Sequence, residues 1–481
     1  MTRLRQWPGL RPAAAVIVLA TLAALSGCAS VDFDRAVATT NQDAAGFTNG
    51  RLALARTDAQ RAAQAQTAAE LLSRPLGQGD AVQLALVNSP ALQAILAENW
   101  TGAAAAAQSG RIANPILALT RMRIGDELEI ERALTFGLLD LLLLPRRQAI
   151  ATQRIGQAQL QLTAEVVEQV TQVRQVWVNA VAAQQSLLYA EQALASAEAS
   201  AELARRMQAA GNFSKLARAR QQAFYADAAT QLAAAQHLAA ATREQLVRQT
   251  GLTDRQAETM KLPDRLPDLP TAPRDPAAVG QAATAGRLDI RLARAAFDAA
   301  ATTRGVNLVQ SFTDIELGVL RATKFDNAEG TRTAGRGVEV SVRLPVFDWG
   351  DVQRDAFDAQ TLALANRLEA TVRAAGSNLR ETYSAYRTTY DIARHYRDEI
   401  VPLRKTIAEE TVLRYNGMLI GVFELLADSR DQIGSVIAAI GAQQQFWLAD
   451  AALQATIMGR PTLSSVAATG TANKGGGDGA H

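Results

Sequence analysis

Three histidines, His237, His395 and His481, stand far apart in a chain of 481 residues, so a histidine-based metal centre or proton relay has little to build on. His395 and Glu399 are four residues apart and would share one helix face, which is a weak signal for proton transfer and an ordinary surface pair otherwise. The single cysteine, Cys28, excludes an intrachain disulfide and a cysteine-rich metal site. No nucleophile beside a base, phosphate-cradling glycine loop or metal cluster stands out, so the chain reads as no enzyme and needs no cofactor. The formal charge of +2 falls to −1 if Arg3, Arg5 and Arg11 are removed with the leader, which argues against nucleic acid as a partner.

Those three arginines precede an apolar run over residues 13–25, too short to span as a mature helix and suited to a signal sequence. The run ends Leu25-Ser26-Gly27-Cys28, small residues before a lone cysteine, like a bacterial lipobox. Residues 1–27 are therefore expected to be cleaved and Cys28 to carry a covalent lipid, whose chains hold by about 0.8 kcal/mol per buried methylene. Ala29, where an aspartate would signal retention, points to the outer membrane. Residues 28–78 read as a polar tether from that anchor, with weak helical patterning from Leu52 to Leu72.

The elements that follow are of two kinds. Val338, Val340, Val342 and Leu344 alternate with Glu339, Ser341 and Arg343, which predicts a strand over 338–344 with one apolar, membrane-facing side. Earlier, runs over 116–124 and 128–136 flank Gly125-Asp126-Glu127 and predict a hairpin in which Arg121 and Arg123 face Glu129 and Glu131. Each strand has about nine residues, enough to cross a bilayer when tilted. Arg132 falls on the apolar side, where the strand pattern gives no account of it. Phe312, Phe347 and Trp349 at one end of the second hairpin and Phe325 near the other sit where interface aromatics would.

Helical periodicity fills most of the remainder. Asp80 is placed to cap a helix running to about 112, and a long helix over 145–210 turns at 211–214 into a second, ending near 249. Residues 262–276 hold five prolines and read as a linker. Beyond it come a helix over 276–308, a strand over 315–323, a glycine-rich loop, the strand at 338–344, one unbroken helix from about 352 to Tyr415, a turn at Asn416-Gly417 and a returning helix to 458. At 1.5 Å per residue the unbroken helix would reach roughly 100 Å. Residues 86–92 occupy the place of 284–290, and the turn at Gly211 that of Gly417, so the chain is a duplicated helix, β-hairpin and long-helix unit. The organisation expected is a first repeat at 79–261, the linker, a second repeat at 277–460 and a low-complexity tail at 461–481.

Four strands with a lipid-type face need closure, because an open edge leaves backbone groups without partners in a bilayer. One chain cannot close a barrel around a channel, but three would supply twelve strands.

This duplicated order resembles the TolC-like outer-membrane efflux channels, particularly their lipid-anchored branch. The stretches that carry the resemblance are the lipobox, AVQLALVNSPALQA at 81–94, VEVSVRLPVFDWGDVQR at 338–354 and RYNGMLIGVFELLADSRDQI at 414–433. It implies a mainly α fold with a small membrane β part: a homotrimeric 12-stranded β-barrel, embedded in outer-membrane lipid, that continues into a periplasmic α-helical barrel. It further implies that Gly211, Asn212, Tyr415, Asn416 and Gly417 form tips that meet a periplasmic membrane-fusion adaptor, itself joined to an inner-membrane pump, with the RND type favoured. Glu424 and Asp428 would then lie at the periplasmic entrance, where carboxylates from three chains attract cations.

The function expected on this resemblance is a passive exit duct for small molecules, drugs or metal ions, in a tripartite efflux system. The same duct serving a type I protein secretion system is an alternative, and a lipid-anchored coiled-coil scaffold without a pore is another.

Overall fold

The structure, a computed structural model, describes residues 31–461 except 49, 285, 311–314, 345 and 348, and the backbone alone at 305–310. The leader, Cys28 and the tail beyond 461 lie outside the described residues.

In chain order the helices are α1 (Phe33–Asp43), α2 (Ala45–Thr48), α3 (Asp58–Leu72), α4 (Gln78–Asn88) and α5 (Pro90–Ser109). The first hairpin, β1 (Ile116–Ile124) and β2 (Glu127–Gly137), leads to α6 (Leu138–Leu142), α7 (Leu144–Ala209), α8 (Lys215–Thr250) and α9 (Asp254–Thr259). The second half has α10 (Pro276–Thr284), α11 (Leu288–Gln310), β3 (Ile315–Asp326), β4 (Thr331–Val342), α12 (Asp351–His395), a π-helical turn (Tyr396–Ile400), α13 (Val401–Asn416) and α14 (Val422–Ile457). These form two compact units: one of residues up to Ala36, Glu98–Gln161 and Arg291–Ala370, the other of Val37–Ala97, Leu162–Ile290 and Thr371 onward.

The first unit carries one four-stranded antiparallel sheet in the order β1-β2-β3-β4. Ile124 pairs with Glu127, so the β1–β2 turn has two residues and not three. A one-residue change in loop length shifts every pairing. Arg121 and Arg123 consequently face Ile130 and Leu128, and Glu129 and Glu131 face Met122 and Thr120, which corrects the charge pairing expected across this hairpin. The second hairpin is longer than its alternation suggests, with strand at residues 324–326 and 331–337 where a glycine-rich loop was expected, and it ends at Val342, short of Leu344. Glycine lowers strand propensity, but at 337 it makes room across the sheet: a Cβ there would come within 2.9 Å of Leu320 Cδ1.

The second unit is helical. Its core gathers Tyr386, Tyr390, Phe446, Ala449 and Leu453 from α12 and α14 with Leu269 and Val279. The long helix expected from 352 to Tyr415 is interrupted by the π-helical turn, with Pro402 in the first turn of α13. Proline supplies no N–H and its ring crowds the carbonyl four residues back, which forces the local change of winding. The first helix expected from Asp80 to 112 is likewise two: α4 is capped at Gly77, Asp80 lies within its first turn, and it stops at Ser89 (ψ 115°), which the ring of Pro90 holds out of the helical region.

The segment expected to be a tether is folded over its described part. Phe47, Leu52, Leu71, Leu72 and Leu76 are buried, and Thr40 Oγ1 lies 3.2 Å from Thr163 Oγ1 of α7. Buried Arg174 donates to Phe47 O and to Gln454 Oε1 (2.8 Å) and stacks over the Phe47 ring, its pKa pulled below the usual value by desolvation against the opposing pull of Asp450. Trp177 Nε1 donates to Leu76 O at 2.7 Å. Apolar residues thinly spread among alanine and glutamine gave this segment no clear period, so its docking is legible only from the cavities it fills.

The proline-rich stretch is also packed. Leu262, Leu266 and Leu269 are buried, Tyr390 Oη donates to Pro270 O (3.1 Å), Tyr383 Oη to Arg274 O (2.9 Å) and Trp447 Nε1 to Pro267 O (3.0 Å). It is a strap along α12 and α14, pinned by tyrosines at residues 383, 386 and 390 that share one helix face.

The duplication is visible at the ends of the long hairpins. Gly251, after α8, and Gly459, after α14, take φ of 70° and 86°. A Cβ on Gly251 would meet Pro90 Cδ at 2.5 Å, and one on Gly459 would meet Leu288 N at 2.7 Å. Each glycine thus seats a hairpin's end against the break in the first helix pair of its own repeat.

Candidate functional site

The sheet has two chemically different faces. Pairing through β1–β4 places Val338, Val340 and Val342 with Ile315, Leu317, Val319, Leu134 and Phe136 on one side. The other side carries Glu127, Glu129, Glu131, Glu316, Asp326 and Glu339 with a single cation, Lys324, whose Nζ lies 2.7 Å from Glu127 Oε2. Val338 and Val340 are 70% and 60% exposed, and Leu344 is exposed just beyond the strand's end. β1 departs from the pattern: Leu117 and Leu119 share the apolar side with Arg121 and Arg123, whereas Ile116, Met122 and Ile124 share the side of the glutamates.

Phe347 and Trp349 are exposed, and Phe325 lies under the Arg332 guanidinium, 5.3 Å from the ring centre. The neighbouring Phe312 is outside the described residues.

The two expected tips are the turns that join α7 to α8 and α13 to α14. After α7, Gly211 N donates to Gln208 O and Asn212 N to Met207 O, with Gly211 at φ 79°, the left-handed cap that ends a helix. Ser214 Oγ then accepts from Ala217 N at 3.1 Å to start α8. After α13 the same pair of bonds runs from Met418 N to Tyr415 O and from Leu419 N to Arg414 O. The left-handed residue there is Met418, at φ 57°, while Gly417 keeps φ −80°. The turn expected at Asn416-Gly417 therefore lies one residue later, and Met418 is the counterpart of Gly211. Tyr415 and Asn416 close α13, and Met418 (93% exposed) and Leu419 stand out beyond them.

The candidate entrance carboxylates are unlike each other. Glu424 is exposed in the first turn of α14. Asp428 is half-buried and accepts a hydrogen bond from Thr411 Oγ1 of α13, so it serves the packing of its own hairpin. His395 Nδ1 lies 3.2 Å from Glu399 Oε2 on an exposed surface of the helix and its π-helical turn. Among the described residues no cluster of His, Cys, Asp or Glu could hold a metal ion, and no helix is long and apolar enough to cross a membrane.

Sequence reasoning missed Phe213 and Phe423, whose rings stack at 4.5 Å and tie one tip to the other. It also missed Met418 and Leu419, whose signal was an apolar pair in a turn where glycine and polar residues are usual.

No family model matches the chain, and no characterised protein matches it by sequence. Solved structures do match. The Campylobacter jejuni CmeC outer membrane channel is similar with a TM-score of 0.66 and 14% identity, over 83% of this chain and 87% of that one. The open state of the Neisseria gonorrhoeae MtrE outer membrane channel is similar with a TM-score of 0.62 and 17% identity, over 83% and 91%. The Vibrio cholerae outer membrane protein VceC is similar with a TM-score of 0.61 and 15% identity, over 83% and 96%. A helix, β-hairpin and long-helix order given twice, together with the likeness to these structures at this coverage, defines the class: the chain has the fold of the TolC-like outer-membrane channels.

Proposed function

We propose that this chain is the outer-membrane exit duct of a tripartite efflux system, assembled as a homotrimer and lipid-anchored through Cys28. The observation that carries this reading is the open four-stranded sheet, acidic on one side and, on the other, apolar at the end away from the hairpin turns with arginines nearer the turns. Among the described residues β1 and β4 have no second partner strand, and a bilayer does not tolerate such edges. Pairing β4 of each copy with β1 of the next closes three sheets into a 12-stranded barrel with valines to lipid and carboxylates to the lumen. The helical hairpins continue the conduit into the periplasm, where tips around Asn212, Asn416 and Met418 dock on a membrane-fusion adaptor served by an inner-membrane pump.

The duct is passive, and its strand lumen favours cations: each copy offers six carboxylates against one lysine, so drugs that carry positive charge or metal ions pass more readily than anions. Two experiments test the reading. The first replaces Val340 with Asp, at a cost on the order of 2 kcal/mol per chain at mid-bilayer. Heat-stable trimers should vanish from outer membranes, and their persistence would leave the pore-free scaffold as the better account. The second places a photo-crosslinking residue at Asn416 in living cells. Capture of a periplasmic adaptor is the expected result, and the pump that adaptor serves separates small-molecule efflux from polypeptide secretion. Crosslinks confined to peptidoglycan proteins would remove the adaptor from the proposal.

A further inference from the structure

Arg132 interrupts the apolar side of β2, and the sheet register shows that it does not stand alone. It lies directly opposite Arg321 of β3, which lies directly opposite Arg336 of β4. Paired positions in neighbouring strands bring Cβ atoms to roughly 5 Å, and like charges there are destabilising. Arg332 sits four residues from Arg336 on the same side, and Arg121 and Arg123 extend the group onto β1. All six are exposed. Every carboxylate of the strands is on the opposite side, so this side carries no protein charge to offset them.

A second observation lies in the middle of the group. Thr323 follows Arg321 on the same side of β3, opposite Ile130 and Ala334, with Arg132 and Arg336 on its diagonals. It is 2% exposed, and its Oγ1 has no hydrogen-bond partner. A buried hydroxyl left unpaired costs about 1–3 kcal/mol, so a hydroxyl set between diagonal arginine positions is a place where a partner is missing.

We propose that this arginine row, with Thr323 at its centre, binds the phosphate groups of the phosphorylated glycolipid in the outer leaflet of the outer membrane. The inference rests on the membrane reading of the sheet. Position supports the lipid over a free anion. The row lies between the apolar rows of Val338, Val340 and Val342 and the hairpin turns, so it meets the bilayer where acyl chains give way to headgroups. Guanidinium forks match phosphate oxygens in pairs, and Thr323 Oγ1 supplies one further donor. Phosphate would relieve the repulsion within the row and satisfy the hydroxyl together.

The test uses the full chain extracted from outer membranes in neutral detergent. Diphosphorylated lipid A, the same lipid dephosphorylated, and phosphatidylglycerol are offered separately, and retained lipid is counted by native mass spectrometry. The wild-type chain is expected to keep diphosphorylated lipid A at least about ten-fold better than either other lipid, by the strength of charge-assisted pairing. The triple variant Arg132→Gln, Arg321→Gln, Arg336→Gln should lose that preference, and Thr323→Val should weaken it. Equal retention of all three lipids by the wild type overturns the proposal without any variant, which covers a triple variant that does not fold. Retention of phosphatidylglycerol as strong as that of lipid A, or displacement of lipid A by millimolar inorganic phosphate, would mark a general anion surface and also overturn it. Bilayer conductance is read on the same preparation: a conducting trimer without lipid preference removes this site alone, and a protein that neither inserts nor conducts removes the membrane reading with it.

Discussion

The Phe213 ring lies against the Phe423 ring with centroids 4.5 Å apart and planes 21° from parallel. The two residues are about two hundred positions apart, one in the turn before α8 and the other at the start of α14. Their contact joins the turn that holds Asn212 to the start of the helix that follows the turn at Asn416.

Removing either ring should loosen both tips. A double-mutant cycle on Phe213→Ala and Phe423→Ala is expected to give a coupling of about 1 kcal/mol in unfolding of the detergent-solubilised chain. Hydrogen exchange should rise in both turns for either single variant, and a rise confined to the mutated turn would show that the tips are independent.

Met418 holds a backbone conformation that costs an L-residue with a Cβ on the order of 1–2 kcal/mol, at the place where the first repeat uses Gly211. Met418→Gly should therefore stabilise the protein by about 1 kcal/mol, read as a higher unfolding midpoint. If the exposed methionine is retained for docking, the same variant should reduce adaptor capture at Asn416.

Gly251 and Gly459 predict the opposite sign. Alanine at either site combines a left-handed backbone with an approach under 3 Å to neighbouring backbone, Ser89 Cα in one case and Leu288 N in the other. Each substitution should cost at least about 2 kcal/mol, and a loss under about 0.5 kcal/mol would show that the helix breaks yield easily.

The strap is tested by Tyr390→Phe, which deletes one hydroxyl bonded to Pro270 O and Thr271 O and leaves the ring in the core. A loss of about 1 kcal/mol is expected, with faster proteolysis at residues 262–276. Unchanged proteolysis would assign the strap's order to Leu266 and Leu269 alone.

Glu202 accepts hydrogen bonds from Arg205 and Arg206, which hold its carboxyl down to about 2 from its ordinary 4.5. A depressed carboxylate stabilises the folded state above its unfolded pKa and loses that contribution as pH falls from about 4.5 through about 2. The group is exposed, so salt should weaken the effect. An NMR titration of the Glu202 side chain should show the low midpoint, and Arg205→Gln should raise it.

The amino-acid sequence was enough for the duplicated order, the long helical pairs, the two-faced second hairpin and the places of the turns between the helices. Those features rest on local periodicity: three- and four-residue spacing for α7 and α14, two-residue alternation for Val338, Val340 and Val342. Where the chemistry of one residue overrides the period the signal was present but fainter, as at Ser89-Pro90 and at the π-helical turn before Pro402.

Only the tertiary structure decided what depends on which strand or helix lies opposite. The one-residue turn difference that sets Arg121 against Ile130, the stack of Phe213 on Phe423, the docking of Phe47 under Arg174 and the pinning of the proline-rich strap join residues far apart in the chain. The alignment of Arg132 with Arg321 and Arg336 is of the same kind, since a strand's own pattern fixes which face a residue takes but not its neighbour across the sheet. Periodicity is a property of one element, and these contacts are set by the register between elements, which tight turns and close packing determine.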